Sequence, residues 1–212
     1  MDLKKIVLIG GGGYCSGVID SIMKMGEFEI IGITDPDKVK GSMICGFPVL
    51  GDDSCLHQIY ESGVIYAHVT VGTIGDFSLR KKLIRLAEEI GFELVSVIDP
   101  SSLISQYVKL GKMIYVGKSA VINSMVTIND YCIINTKAVV EHGCFLENHV
   151  HIAPSAALAG DIYIGHSTHI GINATLLQGI HIGNHCIIGA GSTVLGNVQD
   201  SQIVYGIVKK GN

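Results

Sequence analysis

From Ser101 onward the hydrophobic positions of the chain recur every sixth residue. Cut into sixes, the sequence reads SSLISQ, YVKLGK, MIYVGK, SAVINS, MVTIND, YCIINT, KAVVEH, GCFLEN, HVHIAP, SAALAG, DIYIGH, STHIGI, NATLLQ, GIHIGN, HCIIGA, GSTVLG. The fourth position of all sixteen blocks, from Ile104 to Val194, is Ile, Val or Leu. The second is always Ala, Ser, Thr, Cys, Val or Ile, and the fifth is often Gly, Asn or Ala. A period of six fits neither the 3.6 of a helix nor the 2 of an ordinary strand. It predicts a parallel β-helix in which each hexapeptide makes one flat side and three sides close a coil. The fourth and second residues should face inward, with Gly or Asn at the fifth position taking the turn. Sixteen blocks make roughly five coils of a triangular prism.

Residues 1–98 have a different grammar, alternating strands with helices. "KKIVLIG" predicts a strand running into Gly10–Gly13, and "CSGVIDSIMKMG" a helix with Val18, Ile22 and Met25 on one face. "FEIIGITD" predicts a second strand ending at Asp35, "VIYAHVTVG" a third and "FELVSVID" a fourth. "SLRKKLIRLAEEIG" reads as an amphipathic helix with Leu79, Leu83, Ile84, Leu86 and Ala87 as its apolar face and Arg80-Lys81-Lys82 on its solvated face. This order calls for a small parallel, Rossmann-like sheet with helices packed on it. Ligands of such sheets sit at the carboxyl ends of the strands, which groups Gly10–Gly13, Asp35 and the segment Gly72–Asp76 around one mouth. The chain thus divides into an α/β domain, 1–98, and a β-helix domain, 99–212.

Composition narrows the function. Hydrophobic residues make up 48% of the 212, yet aromatics only 6%, so aliphatic side chains fill the core. A net charge of −4 without a Lys/Arg-rich patch argues against nucleic acid as a partner. No run approaches the ~20 apolar residues of a membrane span. Six cysteines without a CxxC pair, and an N-terminal apolar run too short for a secretory signal, fit a reducing cytoplasm. Cys132, Cys144 and Cys186 fall at second positions and read as core fillers.

Candidate chemistry lies in "KAVVEHGCFLENHVHIAP". His142 is a sixth-position residue, outside and at a corner; Gly160 follows eighteen residues later, about 4.8 Å away on the next coil. An imidazole beside an accessible glycine N–H suits acyl transfer, the first removing a proton from the nucleophile and the second stabilising the oxyanion. His151 lies half a coil from His142, so the two can cooperate only across neighbouring prisms, most simply in a homotrimer. His166, His169 and His185 read as polar decoration of the outer surface. The pairs His149/His151 and His181/His185 resemble metal ligands but lack a third partner, and no metal is expected. The glycine turn Gly10–Gly13 before a helix can cradle a phosphate, although it is not a complete G-x-G-x-x-G.

The opening "KKIVLIGGGG", the acidic strand end Asp35/Asp37, "GFPVLGDD", "IGDFSLRKKL" and the uninterrupted hexapeptides, above all "VVEHGC…HVHIAPSAALAG" and "IYIG…IGINATLLQGIHIG", resemble the NeuD/PglD-type sugar O- and N-acetyltransferases. The resemblance implies a left-handed β-helix, acetyl-CoA as co-substrate, a trimer, and a sugar or nucleotide-sugar acceptor for bacterial surface glycan synthesis, often through a 4-amino group. It implies His142 as base, His151 close to the acetyl group and Gly160 facing the thioester oxygen. CoA would lie near Gly160, Gly171, Ile172, Gly189, Ala190 and Lys209. The nucleotide sugar would lie near Gly10, Gly11, Gly12, Gly13, Tyr14, Asp35, Asp37 and Gly75. Many relatives carry an acid after the base, where this chain has Gly143; Glu141 precedes it instead and, although counted in the catalytic set, should face differently on strand alternation. Tyr14 replaces a common histidine, and the ending is "YGIVKKGN". Alternatives are O-acetylation of sialic acid or another free sugar, a metal-dependent hydratase on the same fold, and a non-catalytic sugar-nucleotide-binding scaffold.

Overall fold

A computed structural model describes residues 3–209 and divides into two compact units. The first comprises the chain up to Gly72 together with Asp76–Val97; the second comprises Thr73–Gly75 and the chain from Ile98 onward.

In the first unit β1 (Lys4–Ile9), α1 (Gly13–Met25), β2 (Phe28–Thr34), β3 (Met43–Ile44), β4 (Phe47–Gly51), α2 (Leu56–Glu61), β5 (Tyr66–Val69), α3 (Ser78–Ile90) and β6 (Glu93–Leu94) follow in order. The sheet order is β3-β4-β2-β1-β5-β6, parallel except for the β3–β4 hairpin. The β-branched run Ile6–Ile9 occupies the centre and is fully buried, as expected of a strand covered on both faces. Helix α1 ends where Gly26 takes the left-handed conformation at φ +67° and donates its N–H to the Ile22 carbonyl. The order of connection changes side at β1, which lies between β2 and β5 and parallel to both, so the turns after β1 and β5 flank the topological switch point.

Three expectations for this unit fail. Arg80 is not on the solvated face of α3: it is 1% exposed, and its Nη1 donates to the carbonyls of Val69 (2.7 Å) and Val71 (2.8 Å). Leu79, expected in the core, is exposed. The guanidinium satisfies carbonyls at the carboxyl end of β5 that the sheet leaves open, a need invisible in the helical period. "FELVSVID" is also not one strand. Its first half is β6, and Val97–Ile98 begins a face of the prism.

The second unit is the parallel β-helix. Two faces have seven strands and one has five, and pairing joins residues eighteen apart, as in Tyr115↔Ile133↔His151↔His169↔Ile187. We call face 1 the sheet holding His151 and His169, face 2 that holding Val139, Ala157 and Thr175, and face 3 that holding Phe145, Tyr163 and His181. Fourth-position residues from Val116 to Val194 are all buried, stacked with the second-position residues into one continuous core. Each such burial contributes about 1.5–3 kcal/mol.

The turn falls elsewhere than at the fifth position. The first residue of every block from Met113 to Gly191 has positive φ, from +50° at Met113 to +71° at Gly179. Fifth-position glycines serve close packing between coils: a Cβ on Gly117 would lie 2.8 Å from the Thr136 nitrogen, and one on Gly165 2.6 Å from the Gly183 carbonyl carbon. Beyond the last hexapeptide the stack continues with shortened spacing, Ile187↔Ile203 and Thr193↔Ile207, which makes a final coil that the period of six did not predict.

Candidate active site

His142 closes the block KAVVEH at the corner between faces 2 and 3, with Gly160 directly above it. The imidazole lies against the glycine: a Cβ at Gly160 would fall 2.6 Å from His142 Nε2 and 3.0 Å from Nδ1. Only glycine leaves room for the ring there. The backbone N–H of Asp161 donates to the His142 carbonyl at 2.8 Å and sets the spacing of the two coils at this corner.

Backbone amides at the sixth position point outward, and the sequence controls whether they are occupied. In three blocks with a fifth-position Asn or Glu the preceding side chain takes the amide: Asn123 Oδ1 accepts from Ser124 N (2.8 Å), Asn135 Oδ1 from Thr136 N (2.8 Å) and Glu141 Oε2 from His142 N (3.3 Å). Elsewhere a side chain one coil above takes it, as Asn184 Oδ1 does for His166 N at 3.0 Å. Gly160, Ile172 and Ala190 follow Ala159, Gly171 and Gly189, which carry no acceptor, and no hydrogen bond among the described residues takes their N–H. These amides can therefore donate to a ligand.

A cavity of about 490 Å³ lies along face 1 and its corner with face 2. It is bordered by Asn135, His151 and His169, by Gly171, Ile172, Gly189 and Ala190, and by Ile74 and Tyr205. Four expected CoA-binding residues are thus brought together with His151, while His142 and Gly160 lie at a different corner of the same prism. Gly189 is packed under Tyr205, an aromatic that sequence reasoning passed over.

His151 is 7% exposed and held at both ring nitrogens. Nδ1 lies 2.7 Å from the Thr73 carbonyl oxygen, which can only accept, so Nδ1 carries the proton. Nε2 then accepts from Asn135 Nδ2 at 3.4 Å, while Asn135 Oδ1 is engaged with Thr136 N. His169, expected as surface decoration, is 6% exposed and packs edge-on against His151 at 4.8 Å; burial lowers its pKa. The segment Thr73–Gly75 belongs to the β-helix unit, with Gly75 so close to Ile187 that a Cβ would lie 2.6 Å from Cδ1. Gly75 was expected with the glycine turn of the α/β sheet; its contact with Ile187 is the physical reason for the difference.

Glu141 does not face the imidazole. Its Oε2 accepts from Asn123 Nδ2 at 2.9 Å, one coil below, as well as from the His142 amide. The carboxylate that does face the ring is Asp161, whose Oδ1 is 3.9 Å from His142 Nδ1. Sequence reasoning missed it, although the same eighteen-residue step that found Gly160 places Asp161 over Gly143.

The suggested metal pairs do not form. His149 sits at a corner with φ +62° and stacks on Tyr131, so the strand containing His151 begins after it. His181 stacks on Tyr163 in face 3, and His185 packs against His166 at a corner. Among the described residues no group of three or more His, Cys, Asp or Glu can hold a metal ion. Cys132, Cys144 and Cys186 are buried; desolvation pushes the Cys144 thiol up to about 11, removing it as a nucleophile beside His142.

In the first unit, Asp35 Oδ2 accepts from Gly11 N (2.6 Å) and Oδ1 from Asp37 N (2.8 Å), which binds the end of β2 to the glycine turn. Gly10 takes φ +106° against Val71, and Gly11 packs under Ile44. Gly12 caps α1 and, with Gly13, faces open space; Tyr14 is half-buried in the first turn and borders Gly72. Lys209 is exposed after the last strand and does not border the cavity. No helix among the described residues is long and apolar enough to cross a membrane.

A hexapeptide β-helix with a corner histidine over a glycine and open amides beside an elongated cavity defines an acyltransferase of the hexapeptide class. The sequence matches the family model of the PglD N-terminal domain over residues 5–87 and that of six bacterial transferase hexapeptide repeats over residues 161–196. The perosamine N-acetyltransferase of Caulobacter crescentus is similar to this chain. Solved as a histidine-to-asparagine variant with CoA and GDP-perosamine, it has a TM-score of 0.91 at 38% identity, covering 97% of this chain and 95% of its own. The acetyltransferase domain of PglB from Neisseria gonorrhoeae, solved with acetyl coenzyme A, has a TM-score of 0.87 at 30% identity over 97% of each chain. WeeI from Acinetobacter baumannii, 21% identical over 95% of this chain and 96% of its own with a TM-score of 0.75, shares the fold. No curated protein sequence matches the chain. The chain belongs to the PglD-type family of hexapeptide-repeat sugar acetyltransferases.

Proposed function

We propose that this protein transfers the acetyl group of acetyl-CoA to the amine of a nucleotide-linked amino sugar, by direct attack and without an acyl-enzyme. The observation that carries this reading is the His142 ring seated on Gly160 beside an N–H that no hydrogen bond among the described residues takes. The amine attacks the thioester carbon as His142 Nε2 removes its proton; the Gly160 amide donates to the oxyanion; the C–S bond then breaks and the thiolate takes up the proton. Gly171, Ile172, Gly189 and Ala190 line the channel for CoA, and the open amides of Ile172 and Ala190 suit the amide oxygens of its pantetheine arm. Lys209 is exposed and can reach the CoA phosphates.

His142 and the cavity occupy different corners of one prism, so a complete site joins His142 of one subunit to the cavity of its neighbour. A homotrimer is the simplest closed arrangement that does this. In the α/β unit, Gly12, Gly13 and Tyr14 present the first amides of α1 to the diphosphate of the sugar nucleotide. Asp35 and Asp37 shape that turn. The Caulobacter relative, solved with GDP-perosamine and named an N-acetyltransferase, supports an amine on a GDP-linked sugar. Acetyl-CoA and a sugar nucleotide as substrates support a cytoplasmic reaction in the assembly of surface glycans.

The test is release of CoA thiol from acetyl-CoA with GDP-, UDP- and dTDP-linked 4-amino sugars and with free sialic acid, with His142→Ala run in parallel. Release with one nucleotide-linked amino sugar, lost in the variant, is the expected result. Release only with sialic acid would overturn the amine assignment. Equal rates in the variant would overturn the role of His142.

A further inference from the structure

The imidazole of a general base needs a partner at its second nitrogen to hold its tautomer. The acid next to His142 in sequence cannot serve, because Glu141 is bound to Asn123 and to the His142 amide. On the other side of His142 the chain has Gly143, with φ +68°. The space above Gly143 is filled by Asp161 of the next coil, so closely that a Cβ on Gly143 would collide with Asp161 Oδ1. The carboxylate is therefore housed where a side chain at position 143 would otherwise stand.

Three further contacts fix it there. The Asp161 N–H donates to the His142 carbonyl at 2.8 Å, so the two residues cannot slide past each other. Asp161 Oδ2 accepts from Gln178 Nε2 at 3.5 Å, from the coil above. That leaves Oδ1 toward His142 Nδ1, at 3.9 Å, with the two side chains 53% (His142) and 58% (Asp161) exposed. Catalytic hydrogen bonds often tighten only when reactants are bound, and a small rotation of either side chain closes this gap.

We propose that Asp161 is the positioning residue of His142: its carboxylate accepts from Nδ1–H, so that Nε2 is the basic nitrogen and faces the amine. An acid supplied by the next coil, opposite a glycine, thus does what an acid adjacent in sequence would do. The other titratable groups at this corner are Glu141, already engaged, and Cys144, whose buried thiol stays neutral with its pKa pushed up to about 11. Asp161 is the one that faces the ring. The role assigned to Asp161 rests on the transferase reading, but its first test does not.

That test is the assignment of the neutral His142 tautomer by long-range ¹H–¹⁵N NMR in the intact wild-type protein, in Asp161→Asn and in Asp161→Glu. The expected result is a dominant Nδ1–H tautomer in the wild type. In Asp161→Asn this preference should be lost, and Asp161→Glu should restore it in part. An unchanged tautomer in Asp161→Asn would overturn the proposal, whether or not an acceptor sugar has been found. With an active acceptor, Asp161→Asn should lower kcat about tenfold or more with little change in KM for acetyl-CoA. A rise in KM with unchanged kcat would place Asp161 in substrate binding and sink the positioning role.

Discussion

His151 Nδ1 donates to the Thr73 carbonyl at 2.7 Å, which ties a three-residue excursion of the chain to face 1 of the β-helix. Because that proton is committed, Nε2 presents a lone pair to Asn135 and, through it, orients an amide at the edge of the cavity. His151→Ala should leave a buried carbonyl without a partner and cost about 1–3 kcal/mol. A lowered Tm and faster hydrogen exchange confined to residues 72–76 would check this. Unchanged exchange there would show that the Gly75–Ile187 contact suffices to hold the segment.

Gly160→Ala places a methyl group where the His142 ring lies. The backbone at this glycine is not left-handed, so the fold should tolerate the change within about 1 kcal/mol. The ring must move, and kcat should fall at least about tenfold with CoA affinity retained. Steady-state kinetics and calorimetric titration with CoA separate the two effects.

If the site is shared between subunits, two inactive proteins should complement each other. His142→Ala removes the base, and Ala190→Trp fills the cavity. Co-refolded in equal amounts, they should recover about one quarter of wild-type activity, since that share of interfaces joins an intact base to an intact cavity. No recovery in mixed trimers confirmed by mass would place the whole site within one chain.

Arg80 holds two strand-end carbonyls from inside the α/β unit. Arg80→Met keeps most of the packing but removes both donors, and should destabilise the unit by about 2–4 kcal/mol. Urea unfolding followed by circular dichroism would measure it; a loss below about 0.5 kcal/mol would mean that water replaces the guanidinium.

Acid should weaken the same unit before its carboxylates titrate. Burial, with Arg80⁺ nearby, drives the His68 pKa down to about 3 from its usual 6.5. Above pH 6.5 the imidazole is neutral in both folded and unfolded chains and exerts no pH effect. As the pH falls below 6.5 the unfolded chain binds the proton and the folded one does not, so stability drops by up to about 1.4 kcal/mol per pH unit. Between pH 6.5 and 5 the expected loss from His68 is about 2 kcal/mol. Chemical denaturation at the two pH values, repeated with His68→Gln, would isolate the His68 share.

Much of the second unit was legible because a β-helix is nearly one-dimensional. Once the coil length is known, residue n lies beneath n + 18, which is why His142 and Gly160 could be paired from sequence. The same rule would have found Asp161 over Gly143, had the empty glycine position been read as space for the next coil. Where the repeat shortens, from Ile187 to Ile203, no periodicity remained to follow, and the final coil with Tyr205 went unread.

By itself, then, the sequence determined the β-helix, its coil, its aliphatic core and the corner that carries His142, because all of these are local and periodic. Tertiary structure alone decided the rest. That Arg80 turns inward and that Thr73–Gly75 joins the β-helix depend on carbonyls and ring nitrogens contributed by segments distant in sequence, and the burial of His169 depends on its packing against His151 on the next coil. A buried polar group takes the partner that the fold brings within reach, and no spacing along the chain records which one that is.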